Sequence, residues 1–387
     1  MKRVASEALG SSLVQIPSTP GTAPIKVDPS FSTAVIAWQK QHGRNALPWQ
    51  NTRDAYRIWL SEIMLQQTQV AAVIPYYHRF LLRFPDLASL AAAPVEDVMA
   101  HWSGLGYYTR ARNLHRCAQR VLAEHEGRFP SDPVLLAELP GIGRSTAAAI
   151  SAFAYGTRAA ILDGNVKRVF ARVFGIDGYP AEKPVENAMW LRAVALLPAQ
   201  NVEAYTQGLM DLGATLCTRS KPSCERCPLA SRCVALQSGR VDELPVRKPK
   251  KTIPQKQTAM LVIIDRNQVL LEQRPAHGIW GGLLSLPEIE SCADSSAIGR
   301  TRFLQNIEAA LAQFGVPESC LPLPAISHGF THFKLTISPY RISLARRLDL
   351  ARQSTHVWVD ENRLASAALP APIKKLLLGI FYEVGMP

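Results

Sequence analysis

In the stretch "SEIMLQQTQV", residues 61–70, Glu62 is flanked by Ile58, Trp59, Ile63, Met64 and Leu65, and amides follow at Gln66, Gln67 and Gln69. A carboxyl group set among bulky apolar side chains resists ionisation, because its charged form loses hydration. Glu62 is therefore expected to hold a proton near neutrality. A second carboxylate, Asp163 in "AILDGNVKRVF", follows a short apolar piece and opens a helix, where Asp is a good N-cap. The helix N-terminus favours the anion, so Asp163 is expected to stay ionised. Alone, Asp163 reads as a cap. With Glu62 it makes one acid and one anion with separated pKa values, the requirement for cleaving a glycosidic bond.

The cysteines suggest a second chemistry. Of seven, four fall at Cys217, Cys224, Cys227 and Cys233, with the spacing C-x6-C-x2-C-x5-C, while Cys117, Cys292 and Cys320 are scattered. This is no secreted disulfide framework; it reads as a ligand cluster in a reducing compartment. All-thiolate ligation admits a structural zinc or a [4Fe–4S] cluster, and spacing alone leaves the two open.

A third motif is "LAELPGIGRSTAAAISAFAYG", residues 136–156. A short helix ends at Leu139, Pro-Gly-Ile-Gly turns tightly, and an Ala-rich helix begins near Arg144. Gly141 and Gly143 are expected to take positive φ and let the backbone approach a ligand closely. Amides beside a helix N-terminus suit a phosphate, so this helix–hairpin–helix reads as a sequence-independent grip on a DNA backbone.

Positioning these groups requires a large helical scaffold, and the chain supplies one. Over 387 residues, 47% are apolar and 19% charged, as in a globular protein with two or three domains. Lys and Arg outnumber Asp and Glu by 43 to 31, a net charge of +12 that favours a polyanionic partner. No uninterrupted apolar run reaches the roughly 18 residues a membrane span needs. Residues 1–30, rich in Ser, Pro, Ala and Gly, read as a flexible extension without a secretory h-region, so a cytoplasmic location is expected.

From 31 to 236 apolar residues recur at helical spacing, over 55–70, 71–83, 95–101, 110–125, 133–139, 144–155, 164–174, 185–197 and 203–214. The Pro- and Lys-rich stretch 237–257 reads as a linker. From 258 to 387 the texture is α+β. Two strands turn at Asp265–Asn267, a helix follows at 298–314, strands lie near 331–346 and 355–359, and a helix closes at 371–384.

These motifs, in this order, are similar to those of the adenine DNA glycosylases of the MutY type. The resemblance is carried by "LPW" at 47–49, "WLSEIMLQQTQV" at 59–70, "GLGYYTRARNLH" at 104–115, "LPGIGRSTAAAI" at 139–150, "ILDGNVKRV" at 161–169 and "MDLGATLCTRSKPSCERCPL" at 210–229. It covers essentially 31–387. It implies a six-helix barrel and a [4Fe–4S] domain clasping DNA, followed by a Nudix-like domain. The implied substrate is adenine opposite 8-oxoguanine or guanine in double-stranded DNA, with the protein acting as a monomer.

By the same resemblance Glu62 and Asp163 are catalytic, and the four cysteines hold [4Fe–4S]. Leu139, Gly141, Gly143 and Ser145 form the DNA-binding hairpin. Gln67 and Tyr107 wedge into the duplex, while Trp49, Leu65, Val70, Gln207 and Met210 line the adenine pocket. Similar bifunctional glycosylases carry a Schiff-base lysine where this chain has Ser145, so a monofunctional enzyme is expected; Lys167 is the nearest other lysine to consider. "VLLEQRPAHGIWGGLLSLPE" resembles a Nudix domain, yet the stretch corresponding to its metal-binding helix holds only Glu308 as a carboxylate. Lesion reading is expected instead, through Thr331 and His332 in "HGFTHFKL", where the family has Phe-Ser-His. Three rivals remain at this stage: an oxidised-pyrimidine lyase, a non-catalytic cluster-bearing DNA binder and a nucleotide-pool hydrolase.

Overall fold

The computed structural model describes residues 28–248, 253–290, 297–349 and 355–382. The first helix, α1 (Pro29–His42), starts where the Asp28 carboxylate accepts the Ser30 N–H at 3.0 Å. Asp28 also pairs with Arg232 at 2.7 Å. The body therefore begins ahead of residue 31, and residues 1–27 of the expected extension lie outside the described residues.

Next, α2 (Ala55–Leu65), capped by Asp54, buries Tyr56, Ile58, Trp59, Leu60, Ser61, Ile63 and Met64. A helix apolar almost all round belongs at the centre of a bundle. Around it run α3 (Val70–Arg83), α4 (Leu87–Ala92), α5 (Val95–Trp102), α6 (Thr109–Glu124) and α7 (Pro133–Ala137), sharing one core. The single helix expected over 55–70 is broken. Gln67 takes φ +58°, so α2 stops at Leu65 and α3 restarts at Val70. α4 was not anticipated; it is too short for a periodic signal and is set by a capping box between Asp86 and Ser89.

The Ala-rich α8 (Arg144–Tyr155) is the wall between two cores. Ala147, Ile150 and Ala154 face the α2 core, whereas Ala149 and Ala152 face a second one. That second core is built by α1, α9 (Gly164–Val173), α10 (Lys183–Ala195) and α11 (Val202–Asp211). Methyl side chains let both lobes close on the same helix. α11 continues into a wide π-type turn, Leu212–Leu216, closed by the Cys217 N–H donating to Leu212 O at 2.7 Å. Such insertions are frequent at functional sites, and this one delivers the first cysteine.

After α12 (Val234–Gln237), the stretch expected as a linker, 237–257, differs from that reading. Leu244 is buried in the second core, and its carbonyl accepts Arg172 Nε at 2.8 Å. Residues 249–252 lie outside the described residues, and the chain is already a strand at Gln255.

The strands are β1 (Gln255–Asp265), β2 (Gln268–Gln273), β3 (Leu284–Ser285), β4 (Glu288–Ile289), β5 (Gly315–Pro322), β6 (Ile326–Gly329), β7 (Lys334–Arg347) and β8 (His356–Asp360). They form one mixed sheet of path β3-β2-β1-β7-β5, with β4 on β1, β6 on β7 and β8 on β2. β1 and β7 pair in parallel from Gln255↔Lys334 to Ile264↔Ser343. The expected hairpin turn is present, with Asp265 opposite Gln268. β5 and β6 went unread, since their Pro, Ser and Glu content hides any alternation.

Because β1 is buried on both faces, it joins two cores. Ala259, Leu261 and Ile263 pack with Phe303, Ile307 and Leu311 of α13 (Ala297–Leu311). Met260, Val262 and Ile264 belong instead to the core that includes α2 and also Ile373 and Leu377 of the last helix. That helix, α15 (Ala371–Tyr382), follows the short α14 (Glu361–Leu364). Residues 383–384 of the expected terminal helix lie outside the described residues. A direct tie joins the two halves, Ser103 Oγ donating to Leu369 O at 2.7 Å.

The shared role of α8 has a measurable consequence. Ala152 is fully buried, and Ala152→Leu should lower unfolding stability by about 1–3 kcal/mol through overpacking. A urea titration with an unchanged midpoint would contradict the tight two-sided packing.

Candidate active site

A cleft of about 1620 Å³ opens between the two helical lobes. Glu62 enters it from α2, and Asp163 from the start of α9. Trp49, Leu65, Gln67, Val70, Ser145, Gln207 and Met210 line the same cleft. The sequence scatters these residues over more than 160 positions, and the fold gathers them. Tyr107, the hairpin residues Leu139, Gly141 and Gly143, and Thr331 and His332 do not line it.

Burial pushes the Glu62 carboxyl up to about 8, and the nearby Asp163 charge adds to the shift. The direction of this shift is the one expected of a neutral acid. Asp163 departs from expectation. Burial raises its carboxyl above the ordinary carboxylate value, and its hydrogen bonds and Arg168 only oppose that rise. As the N-cap of α9, Asp163 accepts Val166 N–H at 2.8 Å and Asn165 Nδ2 at 3.2 Å. Position in a cap supports the anion, but burial works against it. Sequence reasoning counted the cap and missed the burial.

Supporting residues missed from sequence hold Asp163 and Gln207 in place. Arg168 Nη2 donates to Asn165 Oδ1 at 2.8 Å and to Gly213 O at 2.7 Å, while its Nε donates to Cys217 O at 2.6 Å. Asp163, Asn165, Arg168 and the Cys217 backbone thus form one chain of contacts. On the opposite wall the fully buried Asp211 accepts Arg44 Nε at 2.7 Å, Arg44 N–H at 2.8 Å and Gln207 Nε2 at 2.8 Å. With one N–H committed to Asp211, Gln207 keeps its second N–H and its carbonyl oxygen for a ligand. Asp211 stands inside a motif read for its cysteines, so only its flanking pattern was available as a signal.

Ser145 Oγ accepts Leu162 N–H at 3.0 Å, fastening the hairpin helix to the segment that leads into Asp163. Lys167 pairs with Glu186 at 2.7 Å and does not line the cleft. At the hairpin, Gly141 has φ +80°, and an added Cβ would lie 2.9 Å from Asn113 Cβ. Gly143 corrects the expectation of positive φ. It is extended, φ −90°, and its missing side chain leaves open space beside the first turn of α8, where no side chain caps the amides. Leu139 is an anchor, buried in the α2 core.

Gln67 and Tyr107 are both exposed and both sit at positive φ, +58° and +50°. For residues other than glycine this is uncommon and concentrates at functional sites. In the second half of the molecule Thr331 Oγ1 lies 2.9 Å from His332 Nδ1 on an exposed turn. Phe330 and Phe333 stack beneath that turn at 4.5 Å between ring centres.

Away from the cleft, Cys217, Cys224, Cys227 and Cys233 line one small cavity of about 20 Å³, with Arg172, Leu216 and Leu229. Arg172 is buried and donates to Cys217 Sγ at 3.3 Å. Burial raises the thiols of Cys224, Cys227 and Cys233, that of Cys227 to about 11. Four sulfurs around a cavity beside a buried cation fit an anionic all-thiolate centre. Among the described residues, no group of three or more His, Cys, Asp or Glu is placed so that it could hold a metal ion.

The raised Glu62 carboxyl links stability to pH. The protonated form's contribution is fully present below the ordinary value of 4.5 and is lost as pH rises to about 8. Glu62→Gln removes this dependence. Its melting temperature should exceed that of the unsubstituted protein by an amount that grows from pH 4.5 to pH 8 and then levels off. A pH-independent difference would place Glu62 in water.

Comparison with known proteins agrees with this geometry. Residues 60–193 match the HhH-GPD superfamily of base excision DNA repair proteins, and residues 259–379 match the NUDIX domain. The adenine DNA glycosylase of Buchnera aphidicola (subsp. Acyrthosiphon pisum) is 35% identical over 348 residues, 90% of this chain and 96% of its own. That of Homo sapiens is 30% identical over 410 residues, covering 90% of this chain and 73% of the human one. A solved thermostable thymine-DNA glycosylase superimposes with TM-score 0.50 at 30% identity, over 54% of this chain and 96% of that one. With a glycosylase body, a Nudix-like domain and relatives spanning nine-tenths of its length, this chain belongs to the adenine DNA glycosylase family.

Proposed function

We propose that the chain acts as a monomer on double-stranded DNA, excising adenine mispaired with 8-oxoguanine or guanine and leaving an abasic site. The observation that carries this reading is that Glu62, its carboxyl pushed up by burial, and Asp163 line one cleft between the lobes. The hairpin amides around Gly141 and Gly143 hold a backbone phosphate, and the adenine swings out of the stack into the cleft. Gln67 and Tyr107 fill the gap it leaves.

In the cleft, Trp49, Leu65, Val70 and Met210 wall the base, and the Gln207 oxygen accepts from its exocyclic amine. Glu62 donates its proton to N7, which turns adenine into a neutral leaving group. The Asp163 anion stabilises the oxocarbenium-like sugar. Water then adds to the sugar carbon and gives its proton to the Glu62 carboxylate, which restores the acid. Ser145 offers no amine for an imine, and Lys167 is paired with Glu186 outside the cleft, so neither serves as a Schiff-base nucleophile; Lys40, the lysine that lines the cleft, bonds Asn201 Oδ1 at 3.1 Å. Thr331 and His332, on their stacked aromatic base, read the oxidised guanine.

Cys217, Cys224, Cys227 and Cys233 would hold a [4Fe–4S] cluster, which supplies a rigid anchor for the 217–233 loop. Arg168 carries the position of that loop to Asp163 through Asn165. In this reading the Nudix-like domain has no hydrolase role, and the chain divides into a helical body and a lesion-reading domain.

Single-turnover excision from an adenine·8-oxoguanine duplex tests the assignment. Glu62→Gln and Asp163→Asn should each slow it by at least about 100-fold. The wild-type rate should fall as pH rises through about 8, where Glu62 loses its proton. Near-normal rates in either variant, or preferential attack on a thymine-glycol duplex, would refute the reading.

A further inference from the structure

Gln67 and Tyr107 belong to turns far apart in sequence, and both turns converge on one side chain. Arg110, at the start of α6, is almost fully buried. Its Nη1 donates to Ile63 O at 2.9 Å, Met64 O at 2.8 Å and Gln66 O at 2.6 Å. Its Nη2 donates to Thr68 Oγ1 at 3.1 Å, Leu105 O at 3.3 Å and Gly106 O at 3.1 Å. The guanidinium carbon lies 5.2 Å from the Trp102 ring centre and 5.5 Å from that of Tyr107.

This geometry does two things. The carbonyls of Ile63 and Met64 are among the last of α2, which have no partner inside the helix, so Arg110 ends the helix that carries Glu62. The acceptors at Gln66 and Thr68 flank Gln67, while those at Leu105 and Gly106 lie just ahead of Tyr107. Residues 66–68 and 105–107 are thereby bolted to one planar cation. A left-handed backbone at Gln67 and Tyr107 is strained, and it persists only where the surroundings fix it. Arg110 supplies that fixing at both places.

We propose that Arg110 is the positioning residue that makes Gln67 and Tyr107 one rigid two-pronged wedge, set at a fixed distance from Glu62. It touches no DNA itself. Its buried charge is balanced by backbone carbonyls, a task for which a flat fork with donors on two nitrogens is suited and a lysine ammonium is not. The proposal rests on the reading that this chain excises adenine from duplex DNA.

Arg110→Lys in the full chain tests it, alone and combined with Gln67→Ala plus Tyr107→Ala. Two readouts are used: single-turnover excision, and fluorescence of 2-aminopurine placed next to the target adenine. Arg110→Lys should slow excision from a paired duplex by about 10- to 100-fold. It should also suppress the fluorescence rise that reports unstacking. The loss should be much smaller when the adenine already sits in a single-base bulge, and the decline of rate above pH 8 should stay where it was. In the wedge-deleted background, Arg110→Lys should change the rate by less than about two-fold, since the residues then act as one unit.

An equal loss with and without the wedge, or on bulged and paired substrates alike, would overturn the proposal by showing a general structural role. If the Lys variant fails to fold, Thr68→Val removes one acceptor of the bolt and should shift both readouts in the same direction. Absence of excision by the unsubstituted protein would instead refute the underlying function, and the fluorescence comparison would still decide the role of Arg110.

Discussion

The structure depends on keeping a carboxyl group protonated where water would ionise it. Glu62 achieves this by sitting on a helix whose other faces are packed in a core, so that only the cleft side is open. Asp163 is brought near from the other lobe, and each negative charge makes the other harder to form. Two carboxyl groups that burial raises above their ordinary pKa values oppose folding. Their persistence here is a conflict between stability and chemistry, and the surrounding network is arranged to withstand it.

That network is made of buried or half-buried cations bound largely to backbone carbonyls. Arg168 joins the Cys217 carbonyl to Asn165 beside Asp163, Arg172 packs against the Cys217 thiol, and Arg110 ends the helix of Glu62. Buried Asp211 plays the complementary part on the far wall, holding Arg44 and Gln207. In each case one charged group fixes two segments that are remote in sequence. The Ala-rich α8 lets both lobes close on it, and the cleft forms along their seam.

The sequence revealed chemistry wherever the signal was local. The cysteine spacing, the Asp cap and the Gly turn each lie within a few residues, and Glu62 declares itself by its immediate neighbours. The helices of the body and the β1–β2 hairpin were legible from periodicity and turn residues. What escaped had non-local causes. The break after Leu65 follows from backbone held at Gln67 by Arg110, and no pattern within 55–70 announces it. Arg110, Arg168 and Asp211 bond to partners that only the fold brings near. The burial of Asp163 escaped for the same reason, since the walls around it come from α2, α8 and α11. Gly143 was misread because a glycine can serve by leaving space as well as by turning left-handed.

The ionisation of Glu62 itself is the most direct point of attack. With ¹³C-labelled glutamate and Glu62→Gln to assign the signal, the carboxyl resonance should titrate near pH 8 and move downward in Asp163→Asn. A resonance that titrates near the ordinary value of 4.5, unchanged by that substitution, would mean that no neutral acid faces the cleft.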